Sequence, residues 1–384
     1  MQNVEDEYKR ILAEKLSVRD MNHIHLYWKG RVALFAILKA LNITEGDEVV
    51  LPGLTCVVVA NAIKYSGATP LYVDIDKSTL TPSFESIRKA VTRKTRVIIC
   101  QNTFGLSSQV DEIADYGKTR GIYTIDDCTH GFGGTFKGRP NGSYCDAAFY
   151  STQWYKPFST GIGGFALIND EELLSRIRQV NKQLTDPSLK DNFALSLLLF
   201  ARKSILSPST FWKLRTIYRW LSKHNLVIGS SEGAELLGTS KPRNYFKAIS
   251  PVQAKEGIKN LRNFENRLHF RRKNAKKYTA FLRRNNKYHV DEALEKNHSF
   301  LKYAVLVRDK ATFERQAEKN KIELGDWFSS PIHPVKTNLN LWDVDTEQIP
   351  VAFEISKRIL NLPTETKDID RALEFLKMNL DLII

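Results

Sequence analysis

The sequence predicts an α/β fold built on a mostly parallel sheet, and three observations carry that expectation. Short apolar runs with strand character recur at 48–51, 71–75, 97–101, 123–126, 147–151 and 165–168. Helical patterns separate most of them, at 56–66, 83–91 and 110–120. Alternation of this kind is the signature of strands joined by crossover helices. The chain has 384 residues, long enough for two domains with a substantial core.

Taken in order, residues 4–17 read as a helix, and His23 to Trp28 as an extended piece. Gly30-Arg31 then opens a helical pattern that runs through Val32-Ala33-Leu34-Phe35-Ala36-Ile37-Leu38. After the six strand-like runs, residues 171–250 are less regular. From Pro251 a single long basic helix is expected to reach Arg284. A strand at 303–307, a helix near 311–320 and a closing helix from Asp368 complete a smaller α+β unit. The expected domains are therefore 1–250, with 183–245 as an atypical apolar and basic insertion, and 251–384. No internal repeat or low-complexity linker interrupts them.

Composition excludes several classes. Hydrophobic content of 42% and charged content of 26% are those of a globular enzyme. No apolar run reaches the ~20 residues that cross a bilayer, and the acidic Met1 to Glu7 stretch is not a signal peptide. Cys56, Cys100, Cys128 and Cys145 are scattered without zinc spacing, and the eight histidines form no HExxH pair, so no metal is expected. Reduced thiols point to the cytoplasm. The net charge of +14 fits a phosphorylated substrate, an anionic surface or a plain solvated exterior. No nucleic-acid motif accompanies it, so no nucleic-acid partner is expected.

The chemistry concentrates in two places. Asp126-Asp127 closes the apolar run Gly121-Ile122-Tyr123-Thr124-Ile125, and Lys156 lies in Ser151-Thr152-Gln153-Trp154-Tyr155-Lys156, just before Ser159-Thr160-Gly161-Ile162-Gly163-Gly164. A carboxylate at a strand end and a lysine in a tight loop suit pyridoxal 5'-phosphate (PLP). The lysine holds the aldehyde covalently, and the carboxylate keeps the ring nitrogen protonated. Strand alternation turns Asp126 and Asp127 to opposite faces, so only one of them can serve. His130 follows three residues later, and its alternative is a structural role. Gly30-Arg31 at a helix start is an anion site. A cation there opposes the helix dipole unless an anion lies between them, the alternative being an arginine that points to solvent. Gly161-Ile162-Gly163-Gly164-Phe165-Ala166 matches GxGxxA. A strand follows it rather than a helix, which rules out a nicotinamide site.

These segments together resemble the DegT/DnrJ/EryC1/StrS family of PLP-dependent sugar aminotransferases. The carrying stretches are Gly46-Asp47-Glu48-Val49-Val50-Leu51-Pro52, Ala60-Asn61-Ala62-Ile63, Gly67-Ala68-Thr69-Pro70 with Asp74-Ile75-Asp76, Asp126-Asp127-Cys128, and Ser151 through Lys156 to Gly164. The resemblance implies a fold type I aminotransferase: a large domain with a seven-stranded sheet, a small C-terminal domain, and a homodimer with shared active sites. It implies Lys156 as the cofactor lysine, Asp127 as the pyridinium carboxylate, and Ser151, Gly30 and Arg31 around the phosphate. His130 falls near the ring, and Trp327 and His333, in the loop 325–334, on the substrate side. Two positions depart from the pattern. Cys56 stands where an aromatic ring usually stacks on the cofactor, and Phe246-Lys247-Ala248 replaces the usual Asn-Tyr-Arg, with Lys247 as a substitute charge.

The implied activity is transfer of an amino group, with glutamate as donor, to a keto sugar linked to a nucleotide, in amino-sugar or surface-glycan biosynthesis. The alternatives are a sugar dehydratase relative, in which histidine replaces the lysine, and a non-catalytic regulatory or assembly protein. Residues 193–223 add a separate expectation. Phe193 to Leu206 is rich in apolar residues. Ser209 would cap a second helix with Phe211, Leu214, Ile217, Tyr218 and Leu221 on one face and Lys213, Arg215, Arg219 and Lys223 on the other. That face fits packing against protein, with weak peripheral contact with the inner face of the membrane as the second use.

Overall fold

The computed structural model describes residues 3–107, 109–205 and 233–384. Seven strands form the central sheet in the order Ile24–Tyr27, Ile162–Ile168, Ala147–Gln153, Tyr123–Asp127, Thr95–Gln101, Glu48–Pro52, Thr69–Val73. The last five pair in parallel. Ile162–Ile168 runs antiparallel to Ala147–Gln153, and Ile24–Tyr27 antiparallel to Ile162–Ile168. The sheet is thus mostly parallel, and the extended piece near His23 becomes its edge strand.

The strands read as continuous apolar runs because both faces are covered. Val49, Leu51, Val97 and Ile99 pack beneath the helices Gly30–Ala40 and Val57–Tyr65. Val50, Ile98 and Cys100 face the other way, toward Ile87, Val110 and Ile113. Gly30–Ala40 is buried all round except at Lys39. Its N-terminus can approach the sheet because Gly164 has no side chain: a Cβ there would lie 2.3 Å from the Gly30 Cα.

The expected helix 251–284 is two helices, Pro251–Leu261 and Phe264–Arg284. Asn263, with φ −111° and ψ 16°, breaks the ladder between them. The first carries a complete capping box from Ser250 and Gln253. It packs on Val4–Lys15 through Tyr8, Leu12, Ala254 and Ile258, within the large-domain core. The C-terminal core gathers around Tyr278, Phe300, Phe313 and Phe375, beneath the antiparallel pair Tyr303–Leu306 and Ile359–Leu362.

Within 183–245, the helix Leu189–Ile205 buries Leu195 and Leu199 against Trp28 and Ile162. Its other side exposes Leu189, Phe193, Leu197 and Phe200, each more than half accessible. The expected second amphipathic helix, Phe211 to Lys223, lies outside the described residues. Among the described residues no helix is long and apolar enough to cross a membrane, and no group of side chains could hold a metal ion.

Residues 339–358 fold back onto the large domain. The Trp342 indole donates to Asn61 Oδ1 at 2.6 Å. The Asp74 carboxylate accepts from Val351 N at 2.9 Å and Ala352 N at 2.8 Å, capping the helix Pro350–Arg358. Asp74→Ala removes both acceptors and should cost about 1–2 kcal/mol of stability. The midpoint of urea unfolding checks this; an unchanged midpoint would remove Asp74 as a clamp.

Candidate active site

Lys156 follows a turn closed by its own N–H on Gln153 O at 3.1 Å, between two neighbouring strands of the sheet. Its side chain is half-buried, and that burial pushes its pKa down to about 8. Cys56 and Asp127 favour the charged form, and Arg31 opposes it.

Asp127 is the last residue of Tyr123–Asp127, in register with Gln101 and Phe149. Burial raises its pKa, while the Thr129 N–H, which donates to Oδ1 at 3.0 Å, and the Lys156 charge hold it down. Asp126 points elsewhere. It accepts from Asn102 Nδ2 at 2.7 Å and Gly142 N at 2.9 Å, and burial pushes it up to about 7. The strand alternation thus separates a structural carboxylate, Asp126, from one electrostatically coupled to the lysine, Asp127.

The N-terminus of Gly30–Ala40 lies against Ser151: a Cβ on Gly30 would stand 2.9 Å from the Ser151 Cβ and 2.8 Å from Tyr150 O. The first amide N–H groups of this helix and a buried serine therefore meet beside the lysine loop, as an anion cradle requires. Arg31 departs from the expectation. Its buried guanidinium is paired with the buried Glu235 carboxylate rather than left for a phosphate, because a cation with almost no solvent contact needs a counter-charge. Tyr245 donates to Arg31 O at 3.2 Å. Lys247, the substitute charge, is held in its own chain by Asp191 at 2.8 Å.

An aromatic wall completes the site. The His130 and Trp327 rings lie 4.5 Å apart and within 6° of parallel. Lys156 Nζ is 4.4 Å from a Trp327 ring centroid. Phe104 N donates to His130 Nδ1 at 3.2 Å, and burial lowers the histidine pKa, so the ring is neutral with its proton on Nε2. His333 reaches the site by strand pairing, opposite Cys56. Burial pushes its pKa down to about 4, and Ser329 N donates to its Nδ1 at 3.2 Å. The eight sequence-derived site residues thus fall at the lysine loop, the adjoining strands that carry Asp127 and Ser151, the helix N-terminus or the wall. Glu235 and Asn102 were missed. Both act through partners distant in the chain, and nothing in their local sequence marks them.

The sequence profile of the DegT/DnrJ/EryC1/StrS aminotransferase family matches residues 18–198 and 230–372. The chain belongs to this family. It is 40% identical to the GDP-perosamine synthase of Escherichia coli O157:H7 over 147 residues, 38% of this chain and 40% of that one. With the GDP-perosamine synthase of Caulobacter vibrioides it shares 28% over 223 residues, 58% and 59% of the two chains. The alignments thus span less than two thirds of these relatives. Solved structures with the same fold include an aminotransferase from Psychrobacter cryohalolentis, with a TM-score of 0.75 and 20% identity over 99% of this chain and 91% of that one. NtdA from Bacillus subtilis, solved with bound PMP, gives 0.72 and 20% over 99% and 78%.

The residues fit PLP: a desolvated lysine amine for the aldehyde, a buried carboxylate for the ring nitrogen, and N–H groups with Ser151 for the phosphate. Only the neutral amine attacks an aldehyde. With a pKa near 8, reconstitution of cofactor-free protein with PLP should quicken roughly tenfold per pH unit below that value and level off above it. Stopped-flow absorbance checks the profile; a plateau reached only above pH 10 would mean that Lys156 is an ordinary exposed lysine.

Proposed function

We propose that this protein is a PLP-dependent aminotransferase that places an amino group, with glutamate as donor, on a keto sugar carried by a nucleotide, in amino-sugar or surface-glycan biosynthesis. The observation that carries this reading is the Lys156 amine, in the loop after Ala147–Gln153, within electrostatic reach of the Asp127 carboxylate at the end of the neighbouring strand. The family match supports it, as do relatives named for GDP-perosamine and for a dTDP-linked 4-aminotransferase. Lys156 also disfavours the dehydratase alternative, which needs histidine there.

When bound, PLP supplies an aldehyde for amine nitrogen and a ring that accepts the electron pair of the adjacent carbon. The chain supplies the rest. Asp127 would keep the ring nitrogen protonated. The N-terminal amides of Gly30–Ala40 and Ser151 would hold the phosphate, with Arg31 behind them. Lys156 Nζ would hold the aldehyde and, as a free amine, would take and return a proton at the substrate carbon, a role that a pKa near 8 suits. His130 lies beside the ring, and Trp327 and His333 bound the sugar side.

Borohydride reduction of the PLP-loaded protein followed by peptide mapping should place the pyridoxyl group on Lys156; a label on another lysine would sink the assignment. Asp127→Asn should keep PLP but lose about a hundredfold or more in turnover, because a neutral amide cannot hold the ring proton. Asp126→Asn should be milder.

We infer a cytoplasmic homodimer with shared active sites; the exposed stripe of Leu189, Phe193, Leu197 and Phe200 supports an unfilled protein contact. Sedimentation should show a dimer, weakened by Phe193→Glu with Phe200→Glu. The second reading, weak contact of 193–223 with anionic membrane, uses the same stripe. Failure of the intact dimer to pellet with anionic vesicles at low salt would remove it.

A further inference from the structure

Lys156 Nζ lies over the Trp327 indole, 4.4 Å from a ring centroid, inside the ~6 Å over which a tryptophan face attracts an ammonium. Among the described residues Lys156 forms no ion pair, and the indole face is what meets its charge. The indole is firmly placed. Asn361, wholly buried on Ile359–Leu362, accepts from Trp327 N at 2.9 Å and donates to Trp327 O. Gly325 and Asn361 exchange main-chain hydrogen bonds, both 2.9 Å long. The His130 ring lies parallel to the indole, and Phe104 lies nearly parallel to His130. Trp327 is thus fixed through its main chain and its ring, on chain that reaches the amine from the C-terminal unit.

We propose that Trp327 is a further catalytic residue, whose indole face holds the Lys156 ammonium in the cofactor-free protein and each time the amine takes up the substrate proton. In that step the C–H bond breaks, an N–H bond forms on Nζ, and the electron pair stays on the carbon side. An aliphatic wall would exclude water but give the new charge nothing in return. A carboxylate in contact would hold the proton too firmly to hand it back. A ring face lies between these extremes, and this task is separate from bounding the sugar. The proton step rests on the proposed function; the contact with the ammonium in the cofactor-free chain does not. The other groups around the amine leave the effect readable. Burial lowers the Lys156 pKa, Cys56 and Asp127 raise it, and Arg31 lowers it. Burial pushes the Cys56 thiol up and the His130 and His333 imidazoles down. All three are therefore neutral around pH 8.

Competitive acetylation of the full-length, cofactor-free protein over a pH series, with the Lys156 peptide quantified by mass spectrometry, reads the titration of the amine directly. Loss of the ring face disfavours the ammonium, so Trp327→Leu should move the Lys156 inflection down by about half to one pH unit. Trp327→Phe, which keeps a ring, should move it less. Protein grown with difluorotryptophan keeps the indole shape but weakens its face, and should also shift downward; Trp327→Phe grown the same way should not shift further. An upward shift in Trp327→Leu would show that the indole only excludes water, and would overturn the proposal. So would an unmoved inflection in the fluorinated protein, whose fold is that of the natural chain. In the PLP-loaded enzyme Trp327→Leu should lose about tenfold in kcat with KM within about twofold; a loss confined to KM would overturn the catalytic role. Pyridoxyl labelling of Lys156 is scored separately. Its absence counts against the aminotransferase reading and leaves the ammonium contact standing.

Discussion

An amine that is to react near neutral pH must be kept from water without being left as a lone buried charge. Lys156 meets both demands. Burial and Arg31 press the proton off, while Asp127 and Cys56 hold it on, and the result is a pKa of about 8. The balance depends on geometry that the sheet provides. Asp127 must be the final residue of its strand, in register between Gln101 and Phe149. One step of slip would turn Asp126 toward the lysine and send the charge of Asp127 into the packing around Asn102. The neighbouring turn must also admit a helix N-terminus, which Gly30 and Gly164 allow.

Much of this was legible in the sequence. Strands buried on both faces show as unbroken apolar runs, so the parallel strands could be placed within a few residues. Helix Val110–Arg120 ends at Gly121, whose φ of 65° is the left-handed stop that glycine signals. Lys156 and Asp127 were readable because each is a chemically committed residue pinned to a strand end. Features set by distant partners were not readable. Ile359–Leu362 is four residues long, and only its pairing with distant segments, Tyr303–Leu306 and Gly325, makes it a strand. The break at Asn263 carries no glycine or proline. The stack of His130 on Trp327 joins positions almost two hundred residues apart.

Arg31 shows how far local reasoning goes. Its place at a helix N-terminus left two readings, an anion beside it or a guanidinium that points to solvent, since the dipole and the guanidinium repel. The sequence could not say which anion. In the structure Glu235 takes that place, and Asn61 Nδ2 donates to Glu235 O at 2.8 Å to hold the segment there. The carboxylate pairs with a guanidinium whose charge reaches both Cys56 and Lys156.

The clamp between Asp74 and the helix Pro350–Arg358 reaches beyond stability. Trp342, Ile349 and Ala352 belong to the same apolar cluster as Val49 and Val57. The large domain is therefore closed by chain that leaves the ribosome almost three hundred residues after its first strands. Contacts of such long range are slow to form. During synthesis the edge of the sheet at Thr69–Val73 must wait with apolar surface uncovered, so the nascent chain has a window in which chaperones, rather than its own C-terminal residues, keep that edge from aggregating.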